Sequence, residues 1–270
     1  MSDVPKLVAL DVDGTLLDPG YRLAPRTRDA VLAARHAGVV VAIATGRPYS
    51  ALNGLTELAD WAVVSNGSQA VHVATGDMPY QILFERPSAE VFVHHARARV
   101  PGVRFSFITD SDMGWEEGFD AFAPNDALPG GQVDDVLVEV EGTMVQQLAA
   151  YHPTIGPTEL EALLQGIADA DHLRAAYLGF PAVEIAPPSV DKAVALAWLT
   201  GHLGMVQGDV WAFGDGINDL AMLSWAGQGI AMGQASDHVK AVADRVTASN
   251  VDHGVAVALE QAVAILEGRR

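Results

Sequence analysis

Three apolar runs in this chain end in the same way. KLVALDVDG (6–14), VVVAIATGR (39–47) and VWAFGDGIND (210–219) each carry consecutive apolar side chains into a cluster of carboxylates, hydroxyls or amides. A run that is apolar on both faces reads as a strand buried on both sides, which is the signature of a parallel sheet covered by helices. The segments between the runs fit. RTRDAVLAARHA (26–37) has helical spacing with Gly38 as its stop, a short helix is expected over Ser50–Leu58, and WAVVSNG (61–67) reads as another strand. Beyond Val190 the same rhythm returns. DKAVALAWLTGHLG, NDLAMLSWAG and SDHVKAVADRV read as helices, and GIAMG as a short strand. In open sheets of this kind, ligands collect beyond the carboxyl ends of the strands. The chain is therefore expected to build a doubly wound α/β sheet with a polar site along one edge.

The middle of the chain follows a different pattern. MPYQILF and VRFSFI read as strands, Ser88–Val100 as a helix, and Gly114–Gly131 as a turn-rich stretch with Pro124 and Pro129. VLVEVEG, MVQQLAAYH, HLRAAYLGF and AVEIAP read as further strands, with a helix over Pro157–Ala168. This is the pattern of a separate α+β unit. The expected organisation is a core domain in two parts, 1–83 and 187–270, with a domain inserted over 84–186 and a hinge at Pro187-Pro188.

Alternating strand geometry would point Asp11 and Asp13 the same way if the strand runs through them, with Gly14 allowing a tight turn. Two carboxylates about 5 Å apart repel by about 3 kcal/mol at an effective dielectric of about 20. Either one takes a proton or a cation sits between them. The second strand end offers Thr45, Gly46 and Arg47, and the third offers Asp215, Asn218 and Asp219. Lys192 opens a helix, where the dipole mildly disfavours a cation.

Composition narrows the partners. The 270 residues carry a formal net charge of -18 and no cysteine, which removes disulfides and thiolate chemistry and fits a reducing, cytoplasmic setting. No basic cluster beyond Arg22, Arg26 and Arg28 is present to hold a nucleic-acid backbone. An anionic substrate needs a local cation against this field. Met1–Leu10 does not resemble a signal peptide, and the apolar tail VAVALEQAVAILEG (255–268) is broken by Glu260 and Gln261 and too short to span a bilayer. The expectation is a soluble monomer or small homo-oligomer with neither nucleic acid nor membrane as partner.

Taken in order, DVDGTLLD (11–18), the Thr of ATGR, Lys192 and GDGINDLAML (214–223) resemble the four motifs of the haloacid dehalogenase superfamily. The long insertion resembles the cap of its Cof-type (type IIB) phosphatases. VSNGS (64–68), GIAMGQASDHVKAVADRVT (229–247) and NVDHGVAVALE (250–260) are similar to that subfamily as well. GDGxND alone also occurs in P-type ATPases, but those are membrane proteins with DKTGT in place of DGT. The resemblance runs along nearly the whole chain and is weakest over 84–186.

It implies a Rossmann-like core with an inserted α+β cap that closes over the site, excludes bulk water and sets specificity. It implies a Mg²⁺-dependent phosphatase for small phosphorylated metabolites such as sugar phosphates or phosphorylated cofactors. Asp11 is implied as the nucleophile that forms an aspartyl-phosphate, and Asp13 as the acid for the leaving oxygen and then the base for water. Asp11, the backbone carbonyl of Asp13, and Asp215 are implied as the Mg²⁺ ligands. Thr45, Gly46, Lys192 and Asn218 would hold the phosphate, with Arg47 and Asp219 in support. Mg²⁺ favours oxygen ligands, and this chain has no thiol to suit a softer metal. A phosphomutase or phosphotransferase would share the first step, and a non-catalytic Mg²⁺-dependent regulatory domain would share the acidic strand ends, Thr and Lys. Two positions depart from the family's habit: Ala193 where Gly is frequent, and Gln234 where Asn is frequent. His94, His95, Trp115, Glu116 and Glu117 lie in the expected cap, and Asp18 is expected only to stabilise its turn.

Overall fold

The computed structural model describes residues 4–85, 87–109, 113–119, 130–179 and 181–268. Two compact units divide it, Met1–Gln81 with Asp191–Arg270, and Ile82–Val190. The crossings fall at 81/82 and 190/191, against the 83/84 and 186/187 expected from the sequence. Pro187 opens a turn within the second unit, its carbonyl accepting from the Val190 N–H at 3.0 Å.

The first unit begins with β1 (Leu7–Leu10), α1 (Pro25–His36), β2 (Val40–Ala44), β3 (Trp61–Val64), β4 (Gln69–His72) and β5 (Tyr80–Gln81). In the second unit come α2 (Ser88–Arg99), β6 (Arg104–Thr109), β7 (Met113–Trp115), β8 (Gly131–Gln132), α3 (Val136–Val140), β9 (Val145–Tyr151), α4 (Pro157–Ala170), β10 (Arg174–Tyr177) and β11 (Val183–Ala186). The first unit resumes with α5 (Lys192–His202), β12 (Val210–Gly214), α6 (Leu220–Trp225), β13 (Gln228–Ala231), α7 (Asp237–Lys240), β14 (Arg245–Val246) and α8 (Gly254–Gly268).

The first unit's sheet has the order β14-β13-β12-β1-β2-β3-β4-β5. Its strands run parallel from β14 to β3, while β4 and β5 fold back antiparallel at one edge. Val8, Leu10, Val41, Ile43 and Phe213 bury one face with α1 and α8. Leu7, Ala9, Ala42, Ala44 and Ala212 bury the other with α5 and α6. Helices on both faces explain why the strands are apolar throughout. Leu10 pairs in register with both Ile43 and Phe213, so the chain leaves these three strands at nearly the same level.

Three stretches differ from expectation. Residues 50–58 form two 3-10 turns, Tyr49–Ala51 and Leu55–Leu58, broken by Gly54 at φ 75°. The helix expected over 236–246 stops at Lys240, because Asp244 binds Gly229 through both its backbone N–H (2.9 Å) and its carboxylate (2.7 Å). That anchor lays Arg245–Val246 alongside β13 as an edge strand. MPYQILF contributes only the two residues of β5.

The second unit's sheet has the order β10-β11-β9-β6-β7-β8 and is antiparallel apart from the β7–β8 pair. Phe92, Leu160 and Leu164 on α2 and α4 pack against Phe105, Leu148 and Ile185 on one face. VLVEVEG is a correction. Its alternating β-branched pattern reads as a strand, yet Val136–Val140 is a single helical turn capped by Asp135, whose side chain accepts from the Leu137 N–H at 2.9 Å. Val136 and Val140 are four apart, so the same pattern buries both on one helical face. Pro124 and Pro129 lie outside the described residues. Among the described residues, no helix is long and apolar enough to cross a membrane.

Candidate active site

Asp11 is the first residue after β1, buried, with its N–H donating to the Phe213 carbonyl at 3.0 Å. Lys192 meets it from the first turn of α5. Its Nζ lies 2.8 Å from Asp11 Oδ1 and 2.7 Å from Asp219 Oδ1, and its side chain is fully buried. Burial opposes the charge on Lys192, but Asp11 and Asp219 outweigh it and hold the amine protonated. They also outweigh the helix dipole. The start of α5 is fixed by Asp191, whose carboxylate accepts from the Ala193 N–H at 2.6 Å, and by Gly67. At φ 100°, Gly67 lies so close that a Cβ there would strike the Asp191 carbonyl.

Asp219 is engaged on both oxygens. Its Oδ1 takes Lys192, and its Oδ2 accepts the N–H groups of Asp215 and Gly216, both at 2.9 Å. Asp215 accepts from the Thr15 hydroxyl at 2.9 Å. Burial, reinforced by Asp219 and opposed by the Thr15 hydrogen bond, raises its pKa to about 6. Burial and then Asp219 likewise push Asp11 well above the usual carboxylate range, with Lys192 pulling back. Oxygens from Asp11, Asp215 and Asp219 all lie within 4.8 Å of one another. Two carboxylates that resist ionisation, Asp11 buried and Asp215 half-buried, beside a third are short of positive charge, and an all-oxygen donor set suits a hard divalent cation. With Asp219 fully engaged, Asp11 and Asp215 are the carboxylates able to serve one.

Asp13 lies elsewhere than strand alternation suggests. The strand stops at Leu10 and the chain turns, with the Thr15 and Leu17 N–H groups both donating to the Val12 carbonyl at 3.3 and 2.9 Å. Val12 takes the buried position. The Asp13 side chain, 44% exposed, pairs with Arg47. Nη2 reaches Oδ1 at 2.5 Å and Nε reaches Oδ2 at 2.8 Å. The expected Asp11–Asp13 repulsion is thus replaced by two separate ion pairs, and the crowding falls on Asp11, Asp215 and Asp219. Gly14 makes the turn possible at φ 87°, where a Cβ would collide with the Asp215 carboxylate.

Thr45 and Gly46 follow β2. The Thr45 hydroxyl is buried and accepts from the Arg47 N–H at 3.1 Å, and Gly46 lies against the Asn66 amide. Asn66 Oδ1 accepts from Asn218 Nδ2 at 3.1 Å, joining the loops after β3 and β12. Ser65 and Asn66 are both left-handed, at φ 47° and 52°, and the Asn66 N–H donates to the Thr45 carbonyl at 2.9 Å. Sequence reasoning assigned no role to Asn66, Thr15 or Gly67. The Asn-Gly pair in VSNGS is a signal of left-handed backbone, but the partner across the sheet is invisible in it.

Asp18, His95, Trp115, Glu116 and Glu117 have structural partners. Asp18 accepts from the Gly20 and Arg22 N–H groups at 2.8 and 3.0 Å and pairs with the Arg22 guanidinium. His95 pairs with Asp171 at 3.0 Å. Glu116 is buried, pairs with Arg97, and accepts from the Phe105 and Val136 N–H groups at 3.0 and 2.9 Å. Glu117 pairs with Arg104 at 3.0 Å, and Trp115 packs on Phe119 with ring centroids 5.9 Å apart.

The spacing of these strand ends has a counterpart among known proteins. A family model for haloacid dehalogenase-like hydrolases matches residues 8–259. The chain belongs to that family. This hydrolase is 29% identical to the 5-amino-6-(5-phospho-D-ribitylamino)uracil phosphatase YcsE of Bacillus subtilis, with 94% of each chain covered. It is 29% identical to the HMP-PP phosphatase of Cronobacter sakazakii, with 85% of each covered. Among solved structures, the HAD subclass IIB sugar phosphatase BT4131 is similar at a TM-score of 0.80 and 26% identity, over 94% of this chain and 97% of that one. The protein is accordingly a haloacid dehalogenase-like hydrolase, similar in sequence and fold to phosphatases.

Proposed function

We propose that the hydrolase cleaves small phosphate monoesters by passing the phosphoryl group through Asp11. The observation that carries this reading is the position of Asp11. It is a buried carboxylate at a strand end, with one oxygen held by a protonated lysine that Asp219 also grips. Lys192 fixes the orientation of Asp11 and neutralises charge where a phosphate dianion would approach, which is what phosphoryl transfer chiefly demands. Asp11 forms the bond to phosphorus as the bond to the leaving oxygen breaks, and Asp13 supplies that oxygen with a proton. Asp13 then takes a proton from the water that attacks the aspartyl-phosphate, releasing inorganic phosphate and restoring Asp11. Arg47 orients Asp13 between these duties. Thr45, Gly46 and Asn218 line the phosphate's side of the site.

The Asp11 and Asp215 carboxylates and the Asp13 backbone carbonyl would hold Mg²⁺. When bound, it supplies the positive charge that lets two anionic reactants meet. The named relatives act on a 5-phospho-D-ribitylamino-uracil, on HMP-PP and on a sugar phosphate. We extend to this chain their shared element, a small phosphorylated metabolite. In a panel of phosphorylated metabolites with Mg²⁺, free phosphate and not an isomerised ester is the expected product. Asp11→Asn should abolish turnover of an aryl phosphate while the fold survives, and near-normal activity in that variant would refute the assignment.

A further inference from the structure

The turn after β13 reaches across to the nucleophile loop through one side chain. Gln234 Nε2 donates to the Gly14 carbonyl at 2.6 Å, and its Oε1 accepts from the Asn250 N–H at 3.0 Å. Asn250 in turn donates from Nδ2 to the Leu17 carbonyl at 2.8 Å. The two residues therefore grip the Gly14–Leu17 segment at both ends. The turn itself is pinned, the Gly233 N–H donating to the Ala248 carbonyl at 3.0 Å.

The gripped segment is the one that meets Asp215. The Thr15 hydroxyl donates to Asp215 Oδ1 at 2.9 Å, and Gly14 abuts the same carboxylate closely enough to exclude a side chain. One amide thus holds the carbonyl of Gly14, the glycine that follows Asp13 and abuts the Asp215 carboxylate.

We infer that Gln234 is a positioning residue for the divalent cation, setting the spacing between the Asp13–Gly14 backbone and the Asp215 carboxylate. This rests on the proposed Mg²⁺ site. Gln234 is exposed, so water can take up its hydrogen bonds when the amide is removed, and the fold does not depend on it. Water does not fix the distance between two loops. Loss of such outer partners typically costs about 10- to 100-fold in metal affinity.

The test uses the full chain with Gln234→Ala and with Gln234→Met, which keeps length without the amide. Mg²⁺ binding is measured by calorimetry without substrate, alongside the Tm of the metal-free proteins. Both variants should bind Mg²⁺ about tenfold more weakly, with the metal-free Tm close to that of the parent. Unchanged Mg²⁺ affinity in the variants overturns the inference, whatever happens to Tm, and leaves the proposed function standing. Failure of the parent protein to bind Mg²⁺ overturns both.

Discussion

Arg47 binds both carboxylate oxygens of Asp13, at 2.5 Å from Nη2 to Oδ1 and 2.8 Å from Nε to Oδ2. A planar guanidinium matches a carboxylate in this two-point way and a lysine does not. The pair keeps Asp13 in one orientation. Arg47→Lys keeps the charge and loses the fork. It should lower kcat/KM, which reports the first transfer and not hydrolysis of the shared intermediate, about 10- to 100-fold on an alkyl phosphate, whose leaving oxygen needs a proton. It should cost several-fold less on 4-nitrophenyl phosphate, whose leaving group departs as the anion. Equal losses on the two esters would show that Arg47 does not act through Asp13.

Asp215 titrates at about 6 in the metal-free protein, against an ordinary value of 3.8. A raised carboxyl pKa means that the folded chain binds this proton more tightly than the unfolded one. As pH rises from about 4 to about 6, ionising Asp215 therefore removes stability, and that loss persists above pH 6. A divalent cation replaces the proton and reverses the loss. The rise in Tm on adding Mg²⁺ should be largest at pH 7 to 8 and shrink as pH falls through 6. A rise that does not change between pH 5 and pH 8 would contradict this.

Gly67 sits under the helix that delivers Lys192. An alanine there would face a positive φ of 100° and a collision with the Asp191 carbonyl. Gly67→Ala should cost about 3 kcal/mol in urea unfolding at unchanged m-value, and should lower activity by shifting the start of α5. Gly76, also at positive φ, has open space around it. Gly76→Ala should therefore cost only the backbone strain and leave activity intact.

Much of this site was legible before any coordinates. Leu7–Leu10, Val40–Ala44 and Val210–Gly214 are buried strands because nothing polar interrupts them, and their ends deliver the polar residues of the candidate site. The departures share one cause, which is that local pattern does not encode what a residue meets from elsewhere in the chain. Val136–Val140 alternates like a strand, but the cap from Asp135 and the pocket under α2 make it a helical turn. Asp11 and Asp13 are two apart in sequence, yet they take different partners, Lys192 and Arg47, because β1 stops at Leu10 and the chain turns. Asn66 meets Asn218 only because β3 and β12 share a sheet.

The central claim is that Asp11 carries the phosphoryl group. With an aryl phosphate, the first step needs little help from Asp13, while attack by water on the intermediate still needs it as a base. Asp13→Asn should therefore accumulate the intermediate. The direct measurement is acid quenching of Asp13→Asn during turnover of an aryl phosphate, followed by peptide mass spectrometry. The account expects one added phosphoryl mass, confined to Asp11. A phosphoryl group on another residue, or turnover retained in Asp11→Asn, would contradict it.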